Sequence, residues 1–441
     1  MGPTVPAGEA RRVNQAAPES SPLPDARHWS FQASRRVWGT EEPIRCCPPG
    51  RRSNETMHRF PRPLGLIVML GAIAACGDSL GPTGIGLLGT PQVAAGDNHS
   101  CFLDTAGIIR CWGWGALGQL GAGDTLNSSS PVQVEVGIGY RWLAVGSNHS
   151  CGILEDGRAT CWGAAHAGEL GNGMSQGRVT TPDEVLGGSR FTTLSVGDGH
   201  TCAIALAGEA LCWGEGAKGQ LGNADIQDQA APVGVATAVQ FKSIAAGQLF
   251  TCGVSTQNSA HCWGDNTWGQ LGNGVLGGTS ATPVAVIGGH QFTAIYVGKS
   301  FVCALSAGRD AFCWGAASGG RLGNGGGADT AIAVPVPVIG GHKFEALALG
   351  RDHACGIATD ASAYCWGLNT YGKLGADIGP SSQEPILVSG GLTFTGITVG
   401  LDHTCGVTTT GSGYCWGQNL IGQLGRSRPL QSSAPLKVMG L

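Results

Sequence analysis

The chain has 441 residues, of which 76 are glycine, 22 proline, 17 cysteine and 12 tryptophan, while charged residues make only 13%. Glycine at this density, without a three-residue period, excludes helical bundles, coiled coils and collagen and leaves a turn-rich β protein. The formal charge of −4 hides an asymmetry: residues 1–75 hold ten arginines and six carboxylates, leaving 16 basic and 24 acidic groups after them. That balance argues against nucleic acid as a partner.

Residues 1–56 are rich in Pro, Arg and Ser and show no apolar period. They read as disorder or as a misassigned start, with Trp29, Trp38, Cys46 and Cys47 in no usable pattern. Met57 opens a different segment, in which His58, Arg59 and Arg62 precede the apolar run Leu64 to Ala75 and then Cys76. This layout predicts a signal peptide over 57–75, too short for a bilayer core that needs about 20 residues. Ile73-Ala74-Ala75-Cys76 resembles a bacterial lipobox, which implies cleavage before Cys76, a lipid anchor on it and a linker over 76–89. The plainer alternative is a secretory signal followed by a chance cysteine. Either way the mature chain leaves the cytoplasm for the cell envelope. Gly77, in place of an acidic residue after Cys76, favours the outer over the inner membrane.

From residue 90 onward the chain repeats. Cys-Trp-Gly begins at Cys111, Cys161, Cys212, Cys262, Cys313, Cys365 and Cys415, at steps of 50 to 52 residues. A second cysteine lies ten residues before each, at Cys101, Cys151, Cys202, Cys252, Cys303, Cys355 and Cys405. Every unit adds Gly-x-Leu-Gly, from Gly118 to Gly422, and a proline, from Pro131 to Pro435. Six units continue to an aromatic nine residues later: Tyr140, Phe191, Phe241, Phe292, Phe344 and Phe394.

One unit predicts four short strands: Phe191 to Val196, Thr201 to Ala205, Glu209 to Trp213, and a fourth beginning at Pro232. Four strands per unit, repeated seven times, predict an all-β seven-bladed propeller over 90–441. The three-residue hairpin loops need a left-handed last residue, which Gly107, Gly157, Gly208, Asn258 and Gly411 supply. Arg309 and Ala361 break the rule, with Gly308 displaced by one position. The chain ends before a seventh aromatic strand, and Thr90 to Gly96 resembles the missing piece, so the N-terminal strand is expected to close the last blade.

The loop length sets the two cysteines of each unit directly opposite on adjacent antiparallel strands, which predicts seven intrablade disulfides. Each contributes up to ~3 kcal/mol in the chain-entropy model and needs an oxidising compartment. The competing reading, metal ligation by the thiolates with His99, His149, His200, His353 and His403, meets Phe250 and Phe301 in the fourth and fifth units. Those aromatics suit packing, so neither metal nor cofactor is expected.

Gly-x-x-His-[Ser/Thr]-Cys, the glycine hairpin, Trp-Gly and Gly-Gln-Leu-Gly together resemble the regulator of chromosome condensation repeat family over residues 90–441. The resemblance implies a seven-bladed β-propeller and leaves function open, because one fold hosts many activities.

The repeated tryptophans, such as Trp112, Trp162 and Trp366, are expected between blades. Function is expected where the units differ. The residue before the Gly-x-Leu-Gly glycine runs Leu117, Ala167, Lys218, Trp268, Gly319, Tyr371 and Ile421, close in sequence to Trp114, Asn266, Asn369 and Asn419. Trp114, Leu117, Trp268, Tyr371 and Ile421 are the candidate protein contacts, the alternative being local packing on the next blade. The leading expectation is a monomeric, noncatalytic envelope module with an unidentified protein partner. A specific version, by resemblance of repeat plan, is a secreted-enzyme inhibitor of the β-lactamase inhibitor type. A propeller lyase or hydrolase would draw on His166, Glu169, Glu215 and Asp265. Guanine-nucleotide exchange on a small GTPase is implied by the family's nuclear member, against the signal segment, the acidic balance and the near-equal repeats.

Overall fold

A computed structural model describes residues 90–441, apart from 136, 138 and 327–329. Residues 1–56, the expected signal peptide at 57–75, Cys76 and the linker at 76–89 lie outside the described residues.

Blade one shows the plan of all seven. Strands β1 (Gln92–Ala95), β2 (His99–Leu103), β3 (Ile109–Gly113) and β4 (Ser128–Gln133) form one antiparallel sheet in sequence order. The other blades repeat it, in the third as Phe191–Val196, His200–Ala205, Ala210–Gly214 and Gln229–Gly234. Each cysteine pair sits opposite across the second and third strands, as Cys101 does with Cys111 and Cys405 with Cys415. All seven pairs are disulfides, with Cα atoms 4.0 to 4.1 Å apart.

Three expectations need correction. The N-terminal strand does not close the last blade: β1 pairs with β2, and blade seven is complete in Phe394–Val399, His403–Thr408, Gly413–Gln418 and Gln431–Lys437. Hydrogen bonding joins each aromatic strand to the cysteines that follow it, so every blade is one contiguous piece of chain. The repeated prolines lie inside the fourth strand, where the ladder is already irregular between Cys212 and Gly214, so a missing donor is tolerated. Arg309 and Ala361 are not exceptions in shape, since they adopt φ of 64° and 67°, the left-handed form that glycine takes in the other turns.

Ring closure is by packing. The tryptophan of each blade donates its indole N–H to a backbone carbonyl of the preceding Gly-x-Leu-Gly loop: Trp162 to Gln119 at 3.0 Å, Trp213 to Glu169 at 3.0 Å. Trp112 donates to Gln423 at 2.9 Å and so joins blade one to blade seven by the same latch. These seven indoles are fully buried. The motif glycines are explained by the same seam, because a Cβ on Gly118 would lie 2.8 Å from the Val179 carbonyl and one on Gly121 2.8 Å from the Trp162 ring nitrogen. Both also hold positive φ.

Candidate functional site

In an antiparallel blade the loop between strands one and two and the loop between strands three and four leave on the same face. The Trp114 N–H donating to the Asn98 carbonyl at 2.9 Å ties these loops together in blade one. The repeated Gly-x-x-His, with Phe250 and Phe301 in place of the histidine in blades four and five, lies in the inner of these loops. Its glycines form a tight ring, in which a Cβ on Gly96 would stand 2.0 Å from the Gly146 carbonyl and one on Gly400 2.4 Å from that of Gly96.

The histidines cross the seams. His99 Nε2 meets the Ser150 hydroxyl at 2.9 Å, His149 meets Thr201, His200 meets Thr251, His353 meets Thr404, and His403 meets Ser100 at 2.7 Å. Ser150 donates its own proton to the Gln119 carbonyl, so it accepts from the imidazole, which is neutral and protonated on Nε2. Burial pushes His99 and His200 down to about 3 and His149 and His403 down to about 4. Where the histidine is Phe250 or Phe301, the next blade offers Val302 or Ala354 at the hydroxyl position. The five histidines are therefore seam bolts, and their cysteine neighbours are spent in disulfides. Among the described residues no cluster of histidine, cysteine and carboxylate groups is placed to hold a metal.

The residue after each ring glycine varies from blade to blade, and these side chains meet at the channel mouth. Lys299 Nζ lies 2.7 Å from an Asp97 carboxylate oxygen, 3.0 Å from the Ser147 hydroxyl, and 2.9 and 3.0 Å from the two Asp198 oxygens. One ammonium thus ties blade five to blades one, two and three. Ser147 also donates to Asp198. Burial tends to depress Lys299, but the two carboxylates outweigh it and hold the ammonium above its ordinary pKa. Further out, Arg321 pairs with Asp352 at 2.9 Å, and fully buried Lys373 pairs with Asp402 at 2.7 Å. Inside the mouth, Ala95, Val145, Val196, Ala246, Val297, Leu349 and Val399 make an apolar girdle. Beyond it runs a channel of about 300 Å³, with no charged side chain among the residues that line it.

The structure separates the sequence candidates. Trp268 and Tyr371 are exposed, at 44% and 37%. Trp114, Leu117 and Ile421 are half-buried, so packing takes a share of each. Asn266, Asn369 and Asn419 are buried loop staples: the Asn369 amide donates to the Gly379 carbonyl at 3.2 Å while its oxygen accepts from the Leu374 N–H at 3.0 Å. Of the proposed acid–base set, Glu169 accepts from the His166 and Ala167 N–H groups and Asp265 accepts from Gln270 and Thr267, so both shape their own loops. Glu215 is held above the ordinary carboxyl range, first by burial and then by Asp228, Asp198 and Glu169. The sequence reading missed the exposed apolar loop residues Leu126, Ile226, Val275, Leu276 and Leu420 on this same face, and the Lys299 cluster.

Seven contiguous four-stranded blades, closed by a repeated indole latch, define a seven-bladed β-propeller. The regulator of chromosome condensation (RCC1) repeat matches residues 92–119, 143–169, 191–220, 241–270 and 344–373 in one form and 107–153, 207–254 and 360–407 in another. Together these segments cover half of the chain, which belongs to this repeat family. It is 28% identical over 287 residues to the ultraviolet-B receptor UVR8 of Arabidopsis thaliana, covering 64% of this chain and 54% of the receptor. It is 29% identical over 310 residues to the E3 ubiquitin-protein ligase HERC2 of Homo sapiens, covering 67% of this chain and 6% of the ligase. The chain thus spans about half of one relative and a small part of the other. Among solved structures, human WBSCR16 superposes with TM-score 0.68 at 19% identity, covering 75% of this chain and 94% of that one. Prp20p of Saccharomyces cerevisiae, described with its binding to Gsp1p and histones, gives 0.69 at 19%, covering 81% and 88%. At these identities the likeness to the solved structures shows the fold alone.

Proposed function

We propose that the chain is a noncatalytic protein-binding propeller that works outside the reducing cytosol, presenting a partner with the loop face that surrounds the Lys299 cluster. The observation that carries this reading is the third-to-fourth-strand loop of blade four, where Trp268, Val275 and Leu276 stand exposed at 44%, 55% and 58%. Leu276 lies close against this turn, since a Cβ on Gly269 would be 2.8 Å from its side chain. An aromatic and two aliphatic side chains on a loop braced by Asn266 are the anchors that protein interfaces use. Protein binding by Prp20p is in keeping with this reading.

Seven buried disulfides favour an oxidising compartment, in line with a signal peptide at 57–75 and a lipid anchor on Cys76. Each propeller closes on itself and needs no second copy. Inhibition of a secreted enzyme remains the specific version of the reading. Capture of candidate secreted and envelope proteins by the oxidised chain tests it. Trp268→Ala with Leu276→Ser should abolish capture, whereas Leu206→Ser, at a 73% exposed hairpin tip on the opposite face, should leave it intact. Capture that survives the first variant and fails with the second overturns the choice of face.

A further inference from the structure

The channel wall is uneven around the ring. The first strand of each blade pairs with the second on one edge only, so every other backbone N–H and C=O turns inward, toward the channel and the preceding blade. In most of the ring, side chains cap these groups across the seam. Thr398 accepts from the Ala95 N–H at 3.1 Å and Ser195 from the Ala246 N–H at 2.9 Å. Gln92 accepts from the Leu143 N–H at 3.3 Å, and Trp142 donates to the Leu194 carbonyl at 3.1 Å.

Between blades six and seven both caps are replaced by alanine. Ala346 stands at the register position of Gln92 and Trp142, and Ala348 at that of Ser195 and Thr398. The groups left without a side-chain cap are the N–H and C=O of Ile397 and the N–H of Val399, which match Leu143 and Val145 in register. Blade seven widens the same place, because it carries Gly396 beside them, where a Cβ would meet nothing within 4 Å. Gly396, Ile397 and Thr398 are half-buried in a row. All of these residues line the channel of about 300 Å³, so the wall has a bay there with a bare strand edge for its floor.

We propose that this bay binds a small neutral molecule made of a flat apolar body and an amide edge. The N–H and C=O of Ile397 stand side by side on one edge and match the C=O and N–H of an amide, the pairing that a neighbouring strand would make. Ala346, Ala348, Leu349 and Val399 give the body an apolar wall. A cavity of about 150 Å³ holds benzene, so this channel has room for about two fused rings. Ions do not fit. No charged side chain lines the channel, and Lys299 above the girdle is already spent on Asp97 and Asp198. A carboxylate or an ammonium would therefore be buried without a countercharge. The walls belong to sheets, which lowers the ordering cost of binding.

Titration calorimetry on the oxidised full chain tests this with quinolin-2-one, a neutral bicyclic lactam, and naphthalene-2-carboxylate, an anion of similar size. The lactam should bind at one site per chain and the carboxylate at least tenfold more weakly. Gly396→Leu fills the bay and should weaken lactam binding tenfold or more. Ala348→Thr copies the Thr398 cap and should weaken it severalfold with little change in melting temperature, so the proposal stays testable should Gly396→Leu fail to fold. Gly234→Leu, at an exposed glycine of an outer strand that also has open space for a Cβ, should bind as the wild type does. No heat of binding with the lactam overturns the proposal. So does wild-type affinity in folded Gly396→Leu or in Ala348→Thr, or tighter binding of the carboxylate. Capture of a protein partner by the blade-four loop is read separately and does not depend on this outcome.

Discussion

Lys299 of blade five and Asp97 of blade one stand on opposite sides of the ring and meet at 2.7 Å over the channel mouth. Two blades separate them along the shorter arc of the ring and three along the longer, so the pair joins sectors that share no ladder. Lys299 reaches Asp198 of blade three in the same cluster.

Replacing Lys299 with Met keeps the stem and removes the charge, leaving two carboxylates facing each other. Removal of one partner from a buried pair costs about 3–5 kcal/mol, and the solvent that reaches this mouth reduces that to about 1–3 kcal/mol. Denaturant unfolding of Lys299→Met should show that loss. The double variant Lys299→Met with Asp198→Asn should recover part of it. Wild-type stability of the single variant would show that the cluster contributes nothing to ring closure.

The buried histidines make the ring sensitive to acid. The unfolded chain protonates each near pH 6.5, whereas burial keeps the folded ones neutral down to about 3 to 4. The unfolded state therefore binds more protons across this window, and stability falls as pH falls through it, by about 1.4 kcal/mol per pH unit for each histidine in mid-window. His200→Phe with Thr251→Val copies the Phe250 and Val302 pairing already present one seam along. Melting curves from pH 7.5 to 4.5 should be less steep in pH for this double variant than for the wild type. An unchanged slope would contradict the seam role of His200.

Ala361 occupies a left-handed turn position at φ of 67°. Relief of that strain outweighs the extra chain entropy of glycine, so Ala361→Gly should stabilise by about 0.5–1 kcal/mol. Gly107→Ala at the matching turn should destabilise by about 1–2 kcal/mol, since it holds φ of 79° with the Tyr140 carbonyl 3.0 Å from the new Cβ. Equal melting temperatures for wild type, Ala361→Gly and Gly107→Ala would refute this reading.

Much of the propeller was legible because its determinants repeat within one unit: two cysteines ten residues apart, a turn between them, and Gly-x-Leu-Gly after the tryptophan. The seams were hidden because their partners are offset by one blade. Within a unit Phe250 stands beside Thr251 and His353 beside Ala354, which looks like noise. Across the seam His200 meets Thr251 and His353 meets Thr404, and the substitutions become orderly. Arg321 with Asp352 and Lys373 with Asp402 follow the same offset. Lys299 escaped notice because it is a variable residue inside a constant motif, and nothing in one unit tells which blades face each other. Trp268 and Tyr371 were accessible to sequence reading as large residues at a variable loop position. The half-burial of Leu117 and Ile421 was not, since it depends on the strand of the next blade.

The most direct measurement is a disulfide map of the protein purified without reductant, by proteolysis and mass spectrometry. Seven bridges, each linking cysteines ten residues apart from Cys101–Cys111 to Cys405–Cys415, are the predicted result. Free thiols at these fourteen positions, or bridges between different blades, would contradict a ring of self-contained, disulfide-closed blades.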